Sequence, residues 1–264
     1  MKRTAISFVL VLAVFAGLGV LGWHFVKDKI NNKPEYRLNA DKIAVSMPPD
    51  WVPERFVENV LRNSGLGRTA SLLDKALPQK LAEAFASDPW VESVDYVALR
   101  YPSGADIQLS YRVPVALVEV RQRGVLPVDR HGVVLPTEYL TNATSERLNS
   151  YLIIQGIQSV PIGLVGTSWG DPLVQAATQL ADALTDIAEP LQLARIMPKM
   201  EEGPTGMRIV CNLHTAAGTE FHWGIFVADE SIIEAKKKKL WDLREQFRSL
   251  DNVHDARFRD LSKE

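Results

Sequence analysis

Gly166-Thr167-Ser168-Trp169-Gly170 has the Gly-x-Ser-x-Gly spacing of a nucleophile elbow. Such an elbow holds a serine on a strained strand-to-helix turn and exposes its hydroxyl to a histidine base. The apolar run Ile162–Val165 precedes it, and Asp251 and His254 follow in the chain order Ser, Asp, His. Three features oppose the hydrolase reading. The helix after the motif starts at Pro172, too late for Ser168 to sit at its amino end. Pro161 and Gly163 make the preceding run a poor central strand. Upstream there is no alternating β/α series to build a hydrolase sheet and no HGGG-like oxyanion segment. A Gly/Ser/Asp-rich loop ahead of a capped helix accounts for the residues better.

His214 and His222 flank a hairpin turn, with Cys211 nearby. Zinc needs three or four converging ligands. Cys211 is an odd number of residues from both histidines, so strand alternation turns it to the other face and leaves cross-strand polar pairing. Gly65-x-Gly67 lacks the further glycine and the Gly-Lys-Ser/Thr of a phosphate loop, and reads as a helix stop. Lys236–Lys239 reads as the solvated face of a helix with an apolar opposite side. Trp90, Trp169 and Trp223 read as packing residues. No catalytic residue, metal ligand or cofactor is expected.

The elements that carry these residues begin with a membrane-like stretch. In a chain of 264 residues with 46% hydrophobic content, Ala5–Trp23 has no formal charge. At about 1.5 Å per residue it would cross a bilayer core. It runs on through Val20 and Leu21, past the short apolar region of a cleavable leader. A retained transmembrane anchor over 5–25 is therefore expected, with a cytoplasmic tail over 1–4, a linker over 26–40 and the bulk of the chain outside the cytoplasm. Net charge is −2 and pI about 6.2, so there is no global electrostatic case for nucleic acid. One cysteine excludes an intramolecular disulfide.

Alternation over Ile43, Val45 and Met47 predicts a strand. Helical spacing of Phe56, Val57, Val60 and Leu61 follows Pro53 and stops at Ser64-Gly65. Ser71-x-x-Asp74 predicts a helix start, with Pro78 interrupting before Leu81, Ala84 and Phe85. Val91–Leu99 and Ile107–Tyr111 read as strands. Arg112–Pro136 predicts a three-stranded meander: Val115–Val120, Val125–Val128 and Val133–Leu135, turning at Arg123-Gly124 and Asp129–Gly132. Thr141–Ser150 reads as a polar loop and Tyr151–Ile157 as a strand. Asp171 caps the clearest helix, whose stripe is Leu173, Ala176, Ala177, Leu180, Leu184 and Ile187. Leu191–Met197, Met207–Leu213 and Thr219–Gly224 read as strands. Ser231-x-x-Glu234 predicts the cap of a second helix, lined by Ile233, Leu240, Leu243, Phe247 and Leu250. His254–Leu261 reads as a closing strand.

Within this order, Arg112-x-Pro114-x-Ala116 and Val128-Asp129-x-x-Gly132-Val133-Val134-Leu135-Pro136 resemble two linked motifs of the bacterial cell-division family FtsQ/DivIB. Pro89-Trp90-Val91-x-x-Val94 and Phe258-x-Asp260-Leu261 are similar to two others. The resemblance implies an α+β fold: an N-terminal transmembrane helix, a POTRA-like β-α-α-β-β domain over 41–113, then a larger mixed α+β domain over 114–264 with an antiparallel-rich sheet and two helices. It also implies a non-catalytic divisome scaffold of the cytoplasmic membrane, with small membrane proteins of the FtsB/FtsL type as partners and no nucleic acid or small-molecule substrate. The C-terminal strand is the expected recruiting edge, with Phe258 as anchor, Leu261 beside it, and Arg257 and Arg259 on the opposite side to steer an acidic partner. The competing readings are a POTRA-containing export or assembly protein and a membrane-anchored serine hydrolase.

Overall fold

The computed structural model describes residues 33–264 apart from 122–123, 143, 205, 248–258 and 261–264. It divides into two compact units between Ser110 and Tyr111.

In the first unit, β1 (Ile43–Val45), α1 (Phe56–Asn63), α2 (Leu66–Thr69), α3 (Leu77–Ala86), β2 (Val91–Arg100) and β3 (Gly104–Tyr111) follow in order. Helical spacing puts Phe56, Val60 and Leu61 of α1 on one side, and Leu77, Leu81 and Phe85 of α3 on another, all buried. Phe56 and Phe85 meet edge to face with ring centroids 5.7 Å apart. The sheet order is β1-β3-β2. β1 runs parallel to β3, with Ile43 opposite Ala105 and Val45 opposite Ile107. Gly104 is required where β3 starts, because a Cβ there would lie 2.7 Å from the Lys42 carbonyl. Two local expectations change. Ser71–Asp74 is a turn, closed by Asp74 N–H donating to the Ser71 carbonyl at 2.9 Å, and the helix begins at Leu77. Pro78 falls in its first turn, where no backbone donor is needed, so it starts the helix and does not interrupt it.

The second unit contains β4 (Ala116–Val120), β5 (Gly124–Val128), α4 (Glu138–Asn142), α5 (Ser145–Asn149), β6 (Leu152–Ile154), α6 (Pro172–Ala188), β7 (Leu193–Gly203), β8 (Gly206–Thr215), β9 (Glu220–Ile225), α7 (Glu230–Phe247) and β10 (Arg259–Asp260). Its strands form one sheet in the order β10-β9-β8-β7-β6-β4-β5. The third strand of the anticipated meander is only a bridge, Val128 to Val134. The anticipated loop over 141–150 includes the end of the short helix α4 and all of α5. Asp171 caps α6 by accepting the Leu173 N–H at 2.8 Å, and Val174, Ala177, Leu180 and Leu184 on this helix are fully buried against the sheet.

The fold class expected from the sequence needs correction in one respect. No helix among the described residues is long and apolar enough to cross a membrane. The two longest are α6, interrupted by Asp182 and Asp186, and α7, which carries Lys236–Lys239, whereas a spanning helix needs about 20 mostly apolar residues. The range 5–25, where the anchor was expected, lies outside the described residues. The larger sheet mixes strand directions but is antiparallel-rich in its residue pairs, as expected. β4–β5, β7–β8 and β8–β9 are antiparallel, while β4–β6, β6–β7 and β10–β9 are parallel. Between β4 and β6 the chain reverses twice, in the β4–β5 hairpin and again through α4–α5, whereas α6 is the crossover that joins parallel β6 and β7. The described chain is thus a mixed α+β protein with two sheets.

Candidate functional site

The turn after β5 is held by a single carboxylate. Asp129 Oδ1 accepts the N–H groups of His131 and Val133, both at 2.9 Å, and Oδ2 takes the Arg112 guanidinium at 2.7 Å. Asp129 is buried, and these donors satisfy the carboxylate oxygens that burial removes from water. The joint occurrence of Arg112 and Asp129 in the two linked motifs is therefore an ion pair that fixes the entry to the larger sheet, not a reaction centre.

Ser168 is exposed and forms an antiparallel bridge with Val133. It lies before the Asp171 cap, whereas an elbow serine sits at the strand-to-helix turn itself. Asp251 and His254 lie outside the described residues. Trp169 is buried and donates its indole N–H to Ser159 at 3.0 Å, so the motif's aromatic residue packs the loop foot.

His214 stands opposite Glu220, and His222 opposite Asn212. His222 Nδ1 is 2.8 Å from Asn212 Oδ1, and the Asn212 amide donates to Glu220 at 2.7 Å. The two histidines are thus diagonal, each facing a polar partner. Cys211 lies on the opposite, core face, where burial pushes its thiol up to about 12. No group of three or more metal-ligating side chains gathers among the described residues.

The lysine run departs from the solvated face expected of it. Lys236 Nζ donates to the carbonyls of Trp223 at 2.8 Å and Ile225 at 3.2 Å and lies 5.2 Å from the Trp223 ring centroid. Lys237 Nζ lies 2.9 Å from both Asp186 and Glu234. Burial alone would lower the Lys237 pKa, but hydrogen bonds to Asp186 and Glu234 outweigh it and hold the ammonium above its ordinary range. One lysine pins α7 to β9 and the next pins it to α6. Their signal was in the sequence: residues 236 and 237 fall between Ile233 and Leu240 on the apolar stripe. The cap of α7 was also misplaced. Asp229 Oδ1 accepts the N–H of Ser231 at 2.9 Å and of Ile232 at 3.3 Å. The Ser231 hydroxyl, then these amides, hold the Asp229 carboxyl below its ordinary range.

Of the four residues expected to recruit a partner, Arg259 lies in a described strand, while Phe258, Arg257 and Leu261 lie outside the described residues. β10 pairs parallel with β9, Arg259 opposite Phe221 and Asp260 opposite His222, and it ends the seven-stranded sheet. Among the described residues, no strand pairs with its outer side. Backbone N–H and C=O groups on such a side are a template for another chain. No family model matches the chain, and no curated protein matches it.

Proposed function

We propose that this chain is a non-catalytic scaffold of the bacterial division septum, of the kind the FtsQ/DivIB resemblance implies, and that it binds other division proteins outside the cytoplasm. The observation that carries this reading is the terminal place of β10 in the larger sheet. A partner segment of the FtsB/FtsL type adds as a further strand beside Arg259–Asp260, with Phe258 as its apolar anchor and Leu261, Arg257 and Arg259 flanking it. Main-chain pairing supplies affinity and side chains at alternate positions supply choice of partner. Non-catalytic action is supported by Ser168, which lies in a bridge before the helix cap and not on an elbow. The extracytoplasmic location rests on the sequence of residues 1–29 alone.

The test uses a fluorescent fusion of the full chain in its native cell together with pull-down of the small membrane partners. The fusion is expected to gather at the division plane. Phe258→Ala is expected to weaken partner binding by about 1–3 kcal/mol, as loss of an interface anchor does. Arg259→Pro, which removes a backbone donor, is expected to abolish pairing while circular dichroism is unchanged. A diffuse fusion, or partner binding that survives both substitutions, overturns the reading.

A further inference from the structure

On the helix side of the larger sheet, one stretch of β7 and β8 carries an apolar row. Met200 stands directly opposite Ile209, and Phe226 N–H donates to the Ile209 carbonyl at 2.9 Å, which places Phe226 opposite Ile209 on its other flank. Strand alternation puts Met200, Ile209 and Met207 on the same face as Pro198 and Cys211, the face that packs against α6 and α7. Pro198 and Cys211 are buried, whereas Met200 is 45% exposed and Met207 63%. The hairpin thus carries this apolar face further than its own helices bury it.

The row leads, through Phe226, into a cleft of about 600 Å³ between α6 and α7. Its apolar lining includes Phe226, Ile233 and Ala183. Its charged lining is acidic: Asp182 and Asp186 from α6 and Glu230 and Glu234 from α7, against the single ammonium of Lys237. Lys237 is held between Asp186 and Glu234, so the cleft as a whole carries excess negative charge.

We infer that this surface is a docking site for an amphipathic helix of another protein, with an apolar stripe flanked by lysine or arginine. What this face presents is side chains: those of Met200, Met207 and Ile209 project from it. Apolar sheet faces are covered by helices, as α6 already covers its part of this one. The occupant's stripe lies along Met200, Ile209 and Phe226, where methionine side chains adapt to its shape. Its cationic flank meets the carboxylates of the cleft. On α7, Lys236 and Lys237 are engaged within their own fold and do not compete for these carboxylates from a second copy. This site is separate from β10 and does not depend on the septal reading.

The test measures fluorescence anisotropy of labelled synthetic peptides with the purified full chain. One peptide has a leucine stripe flanked by lysines, a second replaces the lysines by glutamates, and a third scrambles the first so that no stripe remains. The lysine peptide is expected to bind about tenfold or more tightly than either control. Met200→Asp is expected to weaken it about tenfold, Asp182→Asn with Glu230→Gln about fivefold with a reduced dependence on salt, and Arg259→Pro not at all. Met200→Gln, milder at a half-exposed position, keeps the test decisive if Met200→Asp fails to fold. Equal binding of the three peptides, or binding indifferent to Met200 and the two carboxylates, overturns the inference. A dimer seen by light scattering that Met200→Asp abolishes also overturns it, since the occupant is then a second copy.

Discussion

Cys211 occupies the core face of β8 with no exposure to solvent, one residue from Asn212 on the polar face. Alternation alone placed it there, because a strand of period two leaves no other choice once its neighbours are assigned. Burial disfavours the thiolate and moves the thiol from its ordinary 9.0 up to about 12. Two outcomes follow for the purified chain. At pH 8 the thiol reacts with Ellman's reagent only after urea unfolds the protein, since the thiolate is the reactive form. Between pH 9 and 10 the unfolded chain releases a proton that the folded chain keeps, so stability falls as pH rises, by an upper bound of about 1.4 kcal/mol per pH unit. Cys211→Ala should flatten that slope in urea titrations, and an unchanged slope would show that the thiol is not the group responsible. Tyr111, also pushed up to about 12 by burial from its ordinary 10.0, adds a slope of the same sign that grows toward pH 10, so the difference between the parent chain and Cys211→Ala isolates the thiol's share. Other residues were less legible. Asp129 was read as part of a turn, but its ion pair with Arg112 spans 17 positions in sequence, which no local pattern reveals.

Helix α7 shows why a charge run misleads when it is read without its phase. Four consecutive lysines must point in four directions about 100° apart, so they cannot share one solvated face. Lys236 and Lys237 take the inward directions and become pins, while Lys238 is exposed. Lys236→Ala is therefore expected to destabilise the larger unit by about 1.5–3 kcal/mol, as loss of hydrogen bonds to a charged group does. Lys238→Ala should be nearly neutral, and equal midpoints for the two variants in urea would return the run to a solvated face. The helices themselves were readable wherever a cap and a stripe agreed, as at Asp171 ahead of α6. They were misjudged where two good caps compete. Asp229 and Ser231 both suit an N-cap, and the choice between them depends on backbone geometry beyond the sequence. The strand beside α6 was shortened for a similar reason: Lys199–Glu201 along β7 and Glu201–Arg208 across to β8 are ion pairs that carry the hairpin outward, which an apolar alternation rule does not count.

At the scale of the chain, Pro114 lacks a ladder donor and reads as a strand start or a join; the structure divides the chain between Ser110 and Tyr111. The direction of β6 was not legible. Its neighbours β4 and β7 lie on either side of long crossovers, and parallel pairing depends on where those crossovers land, not on any residue within Leu152–Ile154. Each unit nevertheless buries its own set of apolar side chains: Phe56, Leu77, Leu81 and Phe85 in one, Ile154, Leu180, Leu184, Ile196 and Trp223 in the other. A core internal to a unit is the requirement for folding alone. Residues 111–264, produced as a separate chain, should therefore unfold cooperatively in urea. Their transition should be steeper than that of residues 33–110, because the slope grows with the surface a unit exposes on unfolding. Leu180→Ala, at a fully buried position of α6, should lower the stability of the larger fragment by about 2–5 kcal/mol without changing that slope. A fragment that binds a hydrophobic dye and melts without a transition would mean that the core of the larger sheet needs the rest of the chain to become specific.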